Sequence, residues 1–577
     1  MPDHRQGAGI LQQQLSAHNR PSPQLPRGFT RHDAIPALLT LAAMVIGARI
    51  FLFFLFPYAL QVGFDEGYEA AAVERIIDGH WLPYVDCFSH RGPFLYWTLA
   101  VFHLLVGRFE YTGTRVMGLV CSLTTTATIF LGGWSAGWPM AGAIAAALNV
   151  FVVAVLYVPG GGVGVHCEPV AVAYATAAFF LVAYGLCRAR SPRARTVLLA
   201  VGGVLVGTAG LTKQTMAVAS MPMILWIIAR SLQGPECPVS DRLRGWRALL
   251  NVIPFVAGGL GLVAAVLARY AIAGQLRAFF FWSTTFNTKV YMEPYKGRIL
   301  ASLSDWFFDQ PFAIMGVALA LIMVMARPLS LAECFTLRGL VRGLLGAAFE
   351  VTIGLMALLL LFAAAGPLRF WPHYFVPVYP IFGLLLGVYI ERGLRRSGAV
   401  PLLAQAAVAV VVGALLILSG SNKLSALREE RAHGGWPDPR PDPACAEIDR
   451  IAGPGQGPIF VWGTAGDIYV TCRRRSASKF ANTTAVAGIV PPFWDQPRAA
   501  REVPGGKAEL ARELTAARPP VIIDTPISPG VAMMDSPVLA AVANQHYCRL
   551  SNLRDNSGRD LVFFARKDLP ACTKRTP

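Results

Sequence analysis

The chain has 577 residues, is 54% hydrophobic and only 15% charged, and has a mean hydropathy of +0.48, which excludes an ordinary water-soluble globular protein and makes lipid its main solvent. Its net charge of +17 invites a nucleic-acid reading, but the arginines cluster in short loops between apolar runs, so membrane topology accounts for them and no nucleic-acid partner is expected. The ten cysteines include no Cys-x-x-Cys pair and no zinc-finger spacing.

Residues 1–34 carry Gln, Pro and Arg without apolar periodicity and read as a disordered cytoplasmic tail. A hydrocarbon core needs roughly 20 apolar residues per helix. Such runs recur near 35–60, 93–107, 114–133, 139–158, 168–186, 197–212, 214–230, 250–271, 310–326, 349–366, 373–390 and 400–420. The expected fold is therefore a polytopic α-helical membrane protein of about 11 to 13 transmembrane helices over 35–420. The first run is too long for a cleavable signal peptide and is read as an anchor.

Four loops carry the positive charge: Arg188, Arg190, Arg193 and Arg195; Arg230, Arg242, Arg244 and Arg247; Arg327, Arg338 and Arg342; and Arg392, Arg395 and Arg396. The positive-inside rule makes them cytoplasmic and sends the intervening loops, including a first loop at 61–92, to the outer side. Strict alternation then leaves both ends of the short run 93–107 outside. That segment is predicted to be a half-helix packed under the first loop, where protein covers its backbone.

Beyond Gly420 the composition shifts to Pro, Gly, Arg and Asp. Strand-like runs at 458–462, 520–523 and 560–564 alternate with helical stretches at 507–517 and 538–545, which predicts a small soluble α/β domain within 421–577, facing outside. Cys445, Cys472, Cys548 and Cys572 belong to it and can form disulfides in an oxidising compartment; Cys87 and Cys167 are a further candidate pair on outer loops. The run Arg473-Arg474-Arg475 reads as a solvated face.

The polar groups that carry chemistry share the outer side. The first loop opens on Gly63-Phe64-Asp65-Glu66-Gly67-Tyr68 and runs through Tyr84 and Asp86 to His90-Arg91-Gly92-Pro93. Asp65 and Glu66 stand at a membrane boundary, where partial desolvation and nearby cations tune a carboxylate as a proton acceptor. Acids at a helix start are also what the helix dipole and capping favour. Glu168 opens a helix beside His166, again a position that suits a capping acid. Lys213 splits two apolar runs, where a lysine can simply snorkel to headgroups. Arg369, His373 and Tyr374 lie in Arg369-Phe-Trp-Pro-His-Tyr374, which also suits an aromatic interface belt. Together they offer carboxylates to activate a hydroxyl and cations to hold a phosphate, a pocket for a substrate that is both lipid-soluble and phosphorylated.

Phe64-Asp65-Glu66-Gly67-Tyr68, an Ala-rich helix, Gly79, Pro83-Tyr84, Asp86 and His90-Arg91-Gly92-Pro93 before Leu95-Tyr96 resemble the first outer loop of GT-C glycosyltransferases, in the branch of protein O-mannosyltransferases and lipid A aminoarabinose transferases. The likeness extends to Thr114-Arg115, Glu168, Gly210-Leu-Thr-Lys213 and His373-Tyr374, covering most of residues 60–390. It implies transfer of a sugar from a polyprenyl-phosphate donor to an envelope glycan, lipid or protein acceptor on the outer face of a bacterial inner membrane, with inversion. Asp65 would be the base, Glu66 and Glu168 its acidic partners, and Lys213 with Arg369 or His373 the phosphate receivers. Tyr84, His90, Arg91 and Tyr374 would complete the substrate site. The family often has Lys-Pro after the loop histidine, where this chain has Arg91-Gly92. Carboxylates suit Mg²⁺ or Mn²⁺, yet no spacing requires an ion, so no metal or other cofactor is assigned. The competing reading is a transporter or flippase of a lipid-linked glycan precursor, whose expected inverted repeats and paired broken helices are missing from the sequence. A third is a membrane-anchored scaffold.

Overall fold

The computed structural model describes residues 33–55, 64–109, 111–151, 166–232, 250–291, 347–365, 372–395, 442–455, 457–489, 499–525, 531–556 and 558–573. The apolar runs expected at 310–326 and 400–420, residue Arg369 and nearly all of the N-terminal tail lie outside these residues.

The longer helices of the apolar part, among the described residues, are α1 (Ala34–Leu55), α2 (Phe64–Asp78), α3 (Pro93–Val106), α4 (Tyr111–Ser135), α5 (Pro139–Phe151), α6 (Cys167–Cys187), α7 (Pro192–Thr212), α8 (Ser220–Leu232), α9 (Val252–Ile272), α10 (Ala348–Ala365) and α11 (Val378–Leu394). Among the described residues, six helical segments are long and apolar enough to cross a membrane: α4, α6, α7, the stretch Gln214–Leu232 that ends in α8, α9 and α10. A 21-residue helix such as α6 rises about 31 Å, enough for the hydrocarbon core. The chain is a polytopic membrane protein.

The bundle has two chemically distinct ends. At one, the α6–α7 and α4–α5 turns and the end of α11 gather arginines. Arg188 stacks 4.4 Å over Trp134 and donates to its carbonyl at 2.8 Å. Arg395 lies 4.5 Å over Trp138 and donates to the Gly137 carbonyl. Glu391 accepts from the Ala141 amide at 2.8 Å, capping the start of α5. At the other end lie the start of α6, the end of α7 and the start of α4, and the candidate site is built there.

Helix α3 begins and ends at that second end. The Gly92 amide before it donates to the Thr212 carbonyl at 3.1 Å, while His103 near its close bonds Glu74 and Thr114 at 3.0 and 2.8 Å. It therefore lies along the bundle rather than through it, packed beneath α2 as its shortness predicts. Its outer face shows Val101, Leu104, Leu105 and Val106, with Leu105 76% exposed.

The C-terminal part adds α12 (Pro443–Ala452), β1 (Pro458–Gly463), α13 (Asp467–Thr471), β2 (Arg475–Ser476), α14 (Gly506–Ala517), β3 (Val521–Thr525), α15 (Pro537–His546), β4 (Tyr547–Arg554) and β5 (Asp560–Arg566). The sheet order is β2-β1-β3-β5-β4, parallel between β1 and both β2 and β3, and antiparallel from β3 through β5 to β4. The strands expected near 458, 520 and 560 and the two expected helices are present; β2, β4 and α12 are additions. Disulfides join Cys445 to Cys472 and Cys548 to Cys572.

Two expectations fail. Cys87 and Cys167 are both free thiols, buried in one apolar cluster with Val73, Leu95 and Val170, so they pack as small hydrophobes and form no bridge. Burial pushes the Cys87 thiol up to about 12, with the Tyr84 contact only partly offsetting it. The arginine run is no uniform solvated face either: Arg474 is buried and donates to Asp449 and to the Gly453 carbonyl, and Arg475 reaches Asp78 of α2 at 3.2 Å.

The C-terminal domain rests directly on α2. A Cβ on Gly67 would meet the Asp467 amide nitrogen at 2.5 Å, so only glycine allows α2 and α13 to touch backbone to backbone. Arg75 donates to the carbonyls of Asp86 and Ser476, both at 2.9 Å, tying α2 to its own loop and to β2 at once. A shared core then runs from Tyr84 and Phe88 through Tyr270 and Trp282 to Trp462 and Phe480.

Candidate active site

Helix α2 is rich in alanine and glutamate, both good helix formers, and it is buried almost all round from Glu66 to Glu74. Each buried acid has its own cation. Glu66 faces Arg115 of α4, with contacts of 3.3 and 3.4 Å. Glu69, fully buried, pairs with Arg91. Glu74 accepts from Arg108 at 2.8 Å and from the Phe109 amide at 2.9 Å, besides its bond to His103. Burial alone would raise the Glu74 carboxyl, but these donors outweigh it and hold the group below the ordinary carboxylate range. Asp65 belongs to the first turn of the same helix; its side chain lies outside the described residues.

The loop after α2 is a fixed strut. Asp86 accepts from the amides of His80 and Leu82 at 3.0 and 2.8 Å and bonds the His80 ring at 3.0 Å. Tyr84 has φ +75, a left-handed conformation that costs energy for a bulky residue. Its ring packs on Tyr270 and Phe279, and its hydroxyl, pushed far up by burial, donates to the Arg91 carbonyl at 2.7 Å. Asn287 donates to the His90 carbonyl at 2.8 Å, and the His90 ring lies beside Phe286. Tyr84 and His90 thus fix the path of the chain through Arg91, whose guanidinium lies 5.5 Å over Tyr68.

Gly92 joins this loop to a second centre. A Cβ there would lie 1.8 Å from the Leu211 carbonyl oxygen, so glycine lets the loop touch the end of α7, next to Lys213. Lys213 caps α7 with an extended backbone, and its ammonium pairs with Glu168 in the first turn of α6. It also lies 4.2 Å from the ring centre of Tyr374. His373, in the short turn Pro372–Phe375 ahead of α11, stacks on His166 with centroids 4.3 Å apart and planes 7° apart. Glu168 is 2% exposed and Lys213 16%, so the cation is the member of the pair that solvent reaches. An apolar cleft of about 380 Å³, lined by Val206, Gly210, Leu211, Gln214, Phe255 and Leu260, opens beside Lys213.

Of the expected residues, Glu168, Lys213, His373 and Tyr374 meet in one group, and Glu66, Arg91, Tyr84 and His90 belong to the adjoining α2 network. His166 went unselected in the sequence although it precedes Glu168 by two positions; its stacking partner lies far along the chain, and only folding reveals it.

The fold recurs in a solved structure. ArnT from Cupriavidus metallidurans bound to undecaprenyl phosphate aligns with a TM-score of 0.50 at 17% identity, over 91% of this chain and 97% of that one. The fold is the GT-C fold. The apo form of the same ArnT gives 0.50 at 16% identity, with the same coverage. The apo oligosaccharyltransferase of Archaeoglobus fulgidus is more distant, at 0.49 and 12% identity over 92% of this chain and 74% of that one. No family model and no curated protein sequence matches the chain. Identities this low establish the GT-C architecture and leave activity to be argued from the site.

Proposed function

We propose that the protein is an inverting membrane glycosyltransferase that moves a sugar from a polyprenyl-phosphate donor to an acceptor on the outer face of the bacterial cytoplasmic membrane. The observation that carries this is the meeting of Glu168, Lys213, His373 and Tyr374 at one end of a GT-C bundle, beside an apolar cleft. A cation next to an apolar cleft suits a ligand with a phosphate head and an isoprenoid tail, and ArnT of the same fold was crystallised with undecaprenyl phosphate. Arginines at the opposite end of the bundle support an outward-facing site by the positive-inside rule.

In this reading the Asp65 carboxylate takes the proton of the acceptor hydroxyl as that oxygen attacks the anomeric carbon. The bond from that carbon to the phosphate oxygen breaks, and polyprenyl phosphate leaves with inversion. Lys213, with His373 or Arg369, receives the phosphate charge. Glu168 holds Lys213 in place until the donor arrives, and Glu66 keeps α2 anchored to Arg115. The Glu69–Arg91 pair positions the loop next to Lys213. Alignment of the nucleophile and stabilisation of the leaving group provide the rate, without a covalent enzyme intermediate.

The test uses purified full-length protein, radiolabelled polyprenyl-phosphate sugars and an envelope extract as acceptor. Wild type should transfer label, and a folded Asp65→Asn that still binds donor should lose transfer by on the order of 10²–10⁴-fold. Equal transfer by the variant removes Asp65 as base. Donor binding by wild type without any transfer points instead to transport, which a liposome flipping assay then measures.

A further inference from the structure

We infer that Glu513, on α14 of the C-terminal domain, is a positioning residue for the candidate active site: it fixes a strap at 476–480, and the strap fixes the loop that carries Arg91 to the side of Lys213. The proposed reaction gives the C-terminal domain no part, so this inference goes beyond it. Its kinetic readout rests on the transferase reading, and its structural readout does not.

The strap leaves β2 and follows the first loop. Its grip on α2 and that loop runs through its main chain. The Ser476 carbonyl accepts from Arg75 of α2 at 2.9 Å, and the Lys479 carbonyl accepts from the Phe88 amide at 2.8 Å. Because carbonyls make these bonds, the path of the strap rather than its side-chain chemistry decides where the loop lies. Phe480 reinforces the register, its ring centre 6.1 Å from that of Phe88, which also meets Trp282 at 4.3 Å. Three residues beyond Phe88 comes Arg91, the partner of Glu69, and the next amide, that of Gly92, donates to the Thr212 carbonyl beside Lys213.

What fixes the path of the strap is therefore what fixes the loop. Near its start the Ala477 amide donates to the Ile459 carbonyl of β1 at 2.8 Å. Ser476 Oγ donates to the Ser478 carbonyl at 2.7 Å and the Phe480 amide donates to Ser478 Oγ at 3.0 Å, bonds that shape the turn without anchoring it. The anchor at the far end is Glu513. One of its carboxylate oxygens accepts from the Ser478 hydroxyl and from the Lys479 amide, the latter at 3.2 Å. Ser478 is fully buried, so without that acceptor its hydroxyl proton would lack a partner in a place where water does not reach. Bonds to an ionised acceptor are also the stronger kind. Glu509, one turn earlier on α14, takes only the Lys479 ammonium, in a partly exposed pair of small worth.

The experiment combines amide exchange on full-length protein in detergent with sugar-transfer kinetics on radiolabelled polyprenyl-phosphate sugars. In Glu513→Ala, exchange at Phe88 and Gly92 should accelerate on the order of tenfold while β1 and β3 exchange as in wild type. The same variant should lose on the order of tenfold in kcat with a smaller change in donor KM, since misalignment is felt in the transition state. Glu513→Gln keeps a carbonyl oxygen for both donors and should restore both readouts, and Glu509→Ala should match wild type. Should Glu513→Ala fail to fold, Ser478→Ala, which removes one of the two bonds, is measured in the same way. Unchanged exchange at Phe88 and Gly92 in the folded variant overturns the inference, as does acceleration spread equally over β1 and β3, which would confine Glu513 to holding its own domain. Faster loop exchange with unaltered transfer overturns the positioning role. Absence of transfer by wild type overturns the transferase reading instead, and the coupling of Glu513 to the loop then stands or falls on exchange alone.

Discussion

Two groups of buried charge stand side by side in this protein and are organised differently. On α2, each of Glu66, Glu69 and Glu74 is matched to its own cation from another element, and Glu74 has three donors around it. At the ends of α6 and α7, Glu168, Lys213, His166, His373 and Tyr374 share one another through a salt bridge, a cation–ring contact and a ring stack. The first arrangement fixes α2, α3 and α4 to one another. The second keeps a partly exposed ammonium beside an apolar cleft, where exchange of partners is the route to binding. Acidic residues at this end of the bundle are thus of two kinds, and their partners, not their charge, separate them.

Exchanging substitutions between the groups tests this division. Glu74→Ala leaves Arg108 and His103 facing a buried void, and removing one partner of a buried pair costs about 3–5 kcal/mol; thermal unfolding in detergent should show a large drop. Glu168→Gln should cost less than half as much stability and yet lower sugar transfer by on the order of 10²-fold. If Glu74→Ala proves stable and Glu168→Gln unfolds the protein, the roles assigned here are reversed.

The contacts that join the groups come next in size. Gly92→Ala places a methyl group against the Leu211 carbonyl, and such overpacking costs about 1–3 kcal/mol. Because the loop then shifts from Lys213, donor binding should weaken together with stability. Gly67→Val forces α2 from α13, so amide exchange across Glu69–Val73 should accelerate while that across β1 and β3 stays slow. Uniform exchange throughout would mean that the C-terminal domain has no separate hold on α2.

Much of this was legible in the sequence, and the rest was not for identifiable reasons. Apolar runs reveal spanning helices because lipid demands length, and β1, β3 and β5 stand out because they are β-branched and aromatic. Strand β4 reads Tyr-Cys-Arg-Leu-Ser-Asn-Leu-Arg, with little continuous apolar character, and only pairing with β5 makes it a strand. Helix α12 was missed although Asp442 and Pro443 mark its start, Asp442 accepting from the Ala444 amide at 2.8 Å. In the site, residue types at helix ends singled out Glu168, Lys213, His373 and Tyr374. Which acid pairs with which cation depends on packing between distant segments, so Glu69, Glu74 and His103 were invisible as a network. Cysteine pairing was equally unreadable, and Cys87 and Cys167 were separated from the true pairs only by their apolar surroundings.

The smallest expected effect sharpens the comparison from the C-terminal domain. Asp524 on β3 is as buried as Glu74 but has few partners, accepting from the Met533 amide at 3.0 Å. Burial, with Asp535 adding to it, pushes its carboxyl up to about 7. The two acids should therefore titrate with opposite sign. Glu74, held low in the folded state, contributes stability above the ordinary carboxylate range that is lost as pH falls. Asp524 binds its proton more tightly folded than unfolded, so its contribution is fully present below the ordinary aspartate range and is lost as pH rises toward 7. Asp524→Asn, a neutral isostere, should raise the unfolding midpoint of the C-terminal domain at pH 8 and leave it nearly unchanged at pH 4. A midpoint that rises equally at both pH values would show that the burial of a neutral side chain, not the charge of Asp524, limits stability there.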